Sequence, residues 1–184
     1  MRFFKILFLL LFLFAINIHF NVKPHIYAVK QDTHLVPYRS SIRHIFQSHS
    51  DSMTKAEILE ASNEILYLIH EYNMNPEEDL APLMCLYWQE SRFNPRSENP
   101  HSSAKGFGQI LMSLHGHKFK HRSDWSDVEE NLYVSFMILN GSYNRGIKNP
   151  KERWIRTLSA YQGSSSAARY TLRKWEYFKQ QLAI

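Results

Sequence analysis

The sequence predicts a mainly α fold, a single compact helical domain with a cleft, α+β at most through a minor hairpin. Three observations carry this expectation. Apolar residues recur at helical spacing through most of the chain after residue 52. Helix-start signals precede those stripes, as at Thr54 and at Ser126-Asp127. No period-2 segment of useful length and no internal repeat interrupts them.

Residues 1–28 read differently from the rest. Arg2 and Lys5 precede an apolar run from Ile6 to Ile16, a secretory pattern that is short for a bilayer span. The segment is therefore a signal peptide, with a poor small-x-small match near Ile26-Tyr27-Ala28, or an uncleaved N-terminal anchor. It also skews the charge. The chain has 22 Lys and Arg against 17 Asp and Glu, a net +5, and three of the cations (Arg2, Lys5, Lys23) lie before Ala28. A mature chain would hold 19 cations against 17 acids, so the basic balance gives no argument for nucleic acid. The lone cysteine, Cys85, permits no intramolecular disulfide and sits in an apolar stretch.

Residues 29–51 are polar, His-rich and without evident periodicity, and are expected to be a lead-in or linker to a domain over 52–184. Thr54-Lys55-Ala56-Glu57 is a capping box, in which both side chains satisfy backbone donors at a helix start. The helix it opens carries Ile58, Ala61, Ile65, Leu66 and Ile69 on one face and stops in Asn73 to Pro76. A second helix is expected from about Asp79, with Pro82 in its first turn. Leu80, Leu83, Met84, Leu86, Tyr87 and Trp88 make it apolar nearly all round, hence central. Residues 92–108 form a loop, and a short helix follows near 109–114. Val128, Leu132, Phe136 and Leu139 mark the next helix, and Glu152 to Tyr161 another, closed by Gly163. The last stripe is Thr171, Trp175, Phe178 and Leu182.

One residue stands out chemically. Glu90 follows the apolar central helix, with Leu86 and Tyr87 one turn back on its face. Burial and the negative end of the helix dipole both disfavour its charged form. A carboxyl group held protonated in this way can donate a proton to a leaving oxygen. The alternative is a structural ion pair with Arg92 or Arg96 at the helix end.

The residues around it carry a resemblance. Glu90-Ser91-Arg92-Phe93-Asn94-Pro95 resembles the E-S-x-aromatic-N-P element of the soluble lytic transglycosylase family, within the lysozyme-like superfamily. Ser103 to Ile110 resembles its G-A-x-G-L-M-Q loop, Asp127 to Leu132 its D-x-x-x-N helix start, and Ala160-Tyr161-Gln162-Gly163 its A-Y-N-x-G element. The four occur in family order over about residues 80–165. Departures are Ser103 for Gly, Gly108 for Met and Gln162 for Asn. The loop before Gln109 is about one residue longer than is common, and its usual serine aligns best with Asn99.

The resemblance implies a lysozyme-like fold with a peptidoglycan cleft. It implies Glu90 as sole acid and base, cleaving between N-acetylmuramic acid and N-acetylglucosamine with formation of a 1,6-anhydro ring. Gln109 and Tyr161 are implied as substrate-binding residues. Ser91, Asn99 and Phe107 are candidates beside them, and Asn131 orients its helix end. Phe93, Phe107 and Tyr161 are candidate sugar-facing aromatics, while Trp88, Trp154 and Trp175 are expected in the core. No cofactor is required. Glu98, Asp127, Glu129 and Glu130 are candidates for a second carboxylate but follow no comparably apolar stretch, and read as solvated or capping groups. His115, His117 and His121 cluster without an acidic partner, and a solvated loop is preferred over a metal site. Ser164 to Ser166 read as a turn and helix cap.

The expected place of work is the periplasm, with inner-membrane anchoring open, and the expected partner is peptidoglycan. A secretion or conjugation complex is suggested by analogy with small exported members of the family. Two alternatives stay open: a hydrolytic muramidase using the same acid, and a wall-binding module of the same fold without activity.

Overall fold

The computed structural model describes residues 34–121 and 123–182, so the expected export segment lies outside the described residues. Helices dominate: α1 (Val36–His49), α2 (Lys55–Glu71), α3 (Pro76–Ser91), α4 (Met112–His115), α5 (Val128–Asn140), α6 (Pro150–Gln162), α7 (Ser165–Thr171) and α8 (Trp175–Leu182). Two short strands, β1 (Ala104–Lys105) and β2 (Ile110–Leu111), pair antiparallel with Ala104 opposite Leu111. The mainly α expectation, with a minor hairpin, agrees with this architecture.

The expected linker is corrected by α1. Within 29–51, residues 36–49 form a helix whose Ile42, Ile45 and Phe46 are fully buried. Their i, i+3, i+4 spacing makes a narrow apolar stripe that packs α1 onto α2 and α8. Burial of each such side chain contributes on the order of 2 kcal/mol.

Local signals set the other boundaries. At α2 the Thr54 hydroxyl accepts from the Glu57 amide at 3.2 Å while Glu57 accepts from the Thr54 amide at 2.7 Å. The start of α3 lies at Pro76 rather than Asp79, because the Asn75 side chain caps it through the Glu77 amide at 3.1 Å. Pro82 consequently lies inside the helix and not in its first turn. At α5 the Asp127 carboxylate accepts from the Glu130 amide at 2.9 Å. Gly163 closes α6 in the left-handed region with φ 71°, and Ser164 caps α7 through the Ala167 amide.

Helix α3 is the central element, buried from Asp79 to Tyr87 and packed against α2, α6, α7 and α8. Its N-terminal end is held by Asp79, which is fully buried. That carboxylate accepts from the Tyr143 hydroxyl, the Trp154 indole and the Asn75 amide, each at 2.8 Å. With one end fixed in this way, the other end of α3 has a defined position. Glu90 rides on that end.

Candidate functional site

The end of α3 turns sharply. Arg92 and Phe93 both take positive φ, 55° and 59°, a conformation that costs non-glycine residues energy. Burial of the Phe93 ring compensates: it is fully enclosed, 5.1 Å from Phe46 and 5.7 Å from Trp88 between centroids. The Ser50 hydroxyl, just after α1, donates to the Phe93 carbonyl at 3.1 Å. The helix that replaces the expected linker therefore buttresses the turn that follows Glu90.

The loop opposite is fixed by Asn131, which is fully buried at the start of α5. Its Oδ1 accepts from the Gly108 amide at 2.8 Å, and its Nδ2 donates to the Trp125 carbonyl at 2.8 Å. Gly106, at φ 77°, passes so close to this amide that a Cβ there would overlap it. The next bend places Gln109 at φ 49°, with Nε2 donating to the Ser97 carbonyl at 3.0 Å and the Gly106 carbonyl at 3.1 Å. Its amide hydrogens are thus engaged, and Oε1 is the atom left to accept from a ligand.

Between these elements lies a cleft of about 590 Å³. Glu90 from α3, Asn99, Ser102 and Gln109 from the loop and hairpin, Tyr161 and Gln162 from α6 and Tyr170 and Thr171 from α7 all line it. Glu90 is half-buried, and among the described lining residues it is the only carboxylate. Burial raises its pKa above the usual carboxylate value, and a hydrogen bond from Gln162 opposes the rise. That bond runs from Gln162 Nε2 to Glu90 Oε1 at 2.6 Å. The ion pair weighed for Glu90 is not the one formed: Arg96 pairs with Glu57, and the Arg92 guanidinium lies 4.4 Å from the Trp88 ring centroid. Such a group can give up a proton to a bound ligand and take one back.

A family model described as "Transglycosylase SLT domain" matches residues 67–183. The chain belongs to the SLT transglycosylase family. No curated protein and no solved structure matches it. Membership supports a peptidoglycan-acting function of the lytic-transglycosylase type in general terms.

Within this SLT domain, Glu90, Gln109, Tyr161 and Asn99 come together at the cleft. Tyr161 does not hydrogen-bond Glu90; its hydroxyl donates to the Gly108 carbonyl at 2.7 Å. Burial, then the neighbouring Tyr87 and Glu90, pushes its pKa well up, so it remains a donor.

Three candidates lie in the core and not in the cleft. Phe107 is fully buried, packed on Tyr87 at 5.0 Å and Phe46 at 5.8 Å, and offers no face to a sugar; Phe93 is likewise enclosed. Ser91 is buried and donates to the Tyr87 carbonyl of its own helix at 3.2 Å. All three were candidates by adjacency to the motif, but Ser91 bonds back onto its own helix, and Phe93 and Phe107 follow positive-φ turns into the core.

The candidates for a second carboxylate, read as solvated or capping groups, lie elsewhere. Glu98 pairs with Lys105 at 2.8 Å, Asp127 caps α5, and Glu130 accepts from the Lys120 amide at 2.8 Å. His115 ends α4, His117 sits in the following 3₁₀ turn, and the His121 amide donates to Asp124 at 3.2 Å.

Sequence reasoning missed Ser102, Thr171 and Tyr170, and read Gln162 only as a departure. Ser102 accepts from the Ala104 amide at 3.1 Å, leaving its O–H free to donate into the cleft. Thr171 read as a core residue because it begins an apolar stripe. No periodicity rule identifies Tyr170, whose ring is half-exposed in the cleft wall.

Proposed function

We propose that the protein is an exported lytic transglycosylase that cleaves the β-1,4 bond between N-acetylmuramic acid and N-acetylglucosamine, with Glu90 as its single acid and base. The observation that carries this reading is that Glu90, half-buried and with a raised pKa, is the one carboxylate among the described cleft-lining residues.

Glycosidases that use a second carboxylate, as nucleophile or as base for water, need it about 5–9.5 Å from the first across the sugar. With one carboxylate, the substrate's own groups must take the second role. Glu90 gives its proton to the O4 leaving group of N-acetylglucosamine as the C1–O4 bond breaks. The N-acetyl oxygen of the muramyl residue stabilises C1, and the C6 hydroxyl then attacks it. The C6 proton returns to Glu90, so the acid is regenerated and no water is consumed. Gln109 Oε1 and the Ser102 hydroxyl supply an acceptor and a donor for the sugar's polar groups.

The substrate class implies work in the periplasm, reached through the export pattern of residues 1–28, beside a secretion or conjugation assembly that needs a local opening in the wall. The direct test is Glu90→Gln. Purified protein clears a suspension of sacculi, and the substitution lowers that rate by about 10²–10⁴-fold. Equal clearance by the variant, or none by the native protein, contradicts the reading.

A further inference from the structure

The best-defined polar contact to Glu90 comes from Gln162, where the family pattern carries Asn. Its Nε2 lies 2.6 Å from Glu90 Oε1, and the same amide is held by Thr171, whose Oγ1 is 2.9 Å from Nε2 and 3.2 Å from Gln162 Oε1. Two elements therefore meet at the amide that bonds the carboxylate. Gln162 comes from the last turn of α6, and Thr171 from the last turn of α7.

We propose that Gln162 is a positioning residue for Glu90, held by Thr171, which fixes Oε1 as a hydrogen-bond acceptor and leaves Oε2 as the oxygen that gives and takes the proton. The inference rests on the reading of Glu90 as acid and base.

An N–H aimed at Oε1 stabilises negative charge there and makes a poor neighbour for an O–H on the same atom. The proton is thereby confined to Oε2. The same bond opposes the effect of burial, so the carboxyl remains able to ionise and serve as base in the second half of the reaction.

Thr171 anchors the arrangement. Its hydroxyl lies within hydrogen-bond distance of both Gln162 Nε2 and Oε1, which ties the amide down beside Glu90. The other groups near Glu90 do not duplicate this function. Tyr161, on α6, donates to Gly108, and Tyr170, on α7, has Arg173 against its ring at 4.7 Å. On the α3 side Arg92 and Lys174 lie over Trp88, while Arg96 is committed to Glu57.

The test compares native protein with Gln162→Met, which keeps the side chain's length and removes the donor, and with Thr171→Val. Two readouts are taken on each: the pH profile of kcat/KM on glycan strands, and the carboxyl-carbon NMR titration of Glu90, which needs no activity. Gln162→Met lowers kcat about ten-fold or more, shifts the alkaline limb to higher pH and moves the Glu90 titration in the same direction. Thr171→Val does the same to a smaller extent.

A Glu90 titration unchanged in folded Gln162→Met overturns the proposal, as does a loss of rate with an unshifted profile, since a purely structural tie between helices would do that. A shifted titration in a protein that never cleaves peptidoglycan supports the Gln162–Glu90 coupling and removes the enzymatic reading alone.

Discussion

The Tyr161 hydroxyl donates to the carbonyl oxygen of Gly108 at 2.7 Å, so the α6 tyrosine beside Glu90 is tied to the loop that presents Gln109. A Cβ on Gly108 would lie 2.8 Å from Ser135 Cβ and 2.9 Å from the Tyr161 oxygen. The glycine is therefore what this tyrosine and this serine leave room for, although the family pattern has a larger residue there. Gly108→Ala is expected to cost about 1–3 kcal/mol by overpacking and to depress activity further by displacing Tyr161. Tyr161→Phe, which loses one hydrogen bond, costs about 1 kcal/mol. Urea unfolding and sacculus clearance on the two variants check the order.

Phe46 tests whether α1 belongs to the domain. Its ring touches both Phe93 and Phe107, one on each of the two turns that shape the cleft. Phe46→Ala should destabilise by about 3–5 kcal/mol in urea unfolding. A linker residue would give nearly nothing.

Glu90 should also leave a signature in stability. Its native pKa is raised above the usual value of 4.5, so the native state holds the proton more tightly than the unfolded chain does. The penalty for ionising it in the fold is absent well below pH 4.5 and grows as pH rises through the raised native value. Glu90→Gln removes that penalty. Its Tm is therefore expected to exceed the native protein's at pH 7 to 8, with the difference vanishing near pH 4. A Tm difference independent of pH contradicts the burial argument.

Tyr170 is an exposed aromatic of the cleft wall, where Phe93 and Phe107 are enclosed in the core. Tyr170→Ala is expected to raise KM for glycan strands about ten-fold with a smaller change in kcat, and Tyr170→Phe to restore most of it. Steady-state kinetics on soluble strands separates the two.

Much of this was legible in the residues, for reasons that differ by element. The capping box at Thr54, the all-round apolar pattern of α3 and the Gly163 stop are local rules, and local chemistry decided them. Helix α1 was not legible because three apolar residues in a polar, His-rich stretch gain their meaning only from α2 and α8. Glu90 could be read because it follows a buried helix, which is a local fact. Phe93 and Phe107 could not be placed correctly, because the direction of their side chains depends on positive-φ turns whose compensation lies in distant rings. Gln162 and Thr171 meet Glu90 only through the packing of α6 and α7 on α3. Sequence separation hides such a contact.

One carboxylate suffices because the substrate closes on itself. Mass spectrometry of the muropeptides released from purified sacculi tests it most directly. The expected products end in 1,6-anhydro-N-acetylmuramic acid and are absent with Glu90→Gln. Products ending in a free reducing sugar, carrying the mass of one added water, would contradict it.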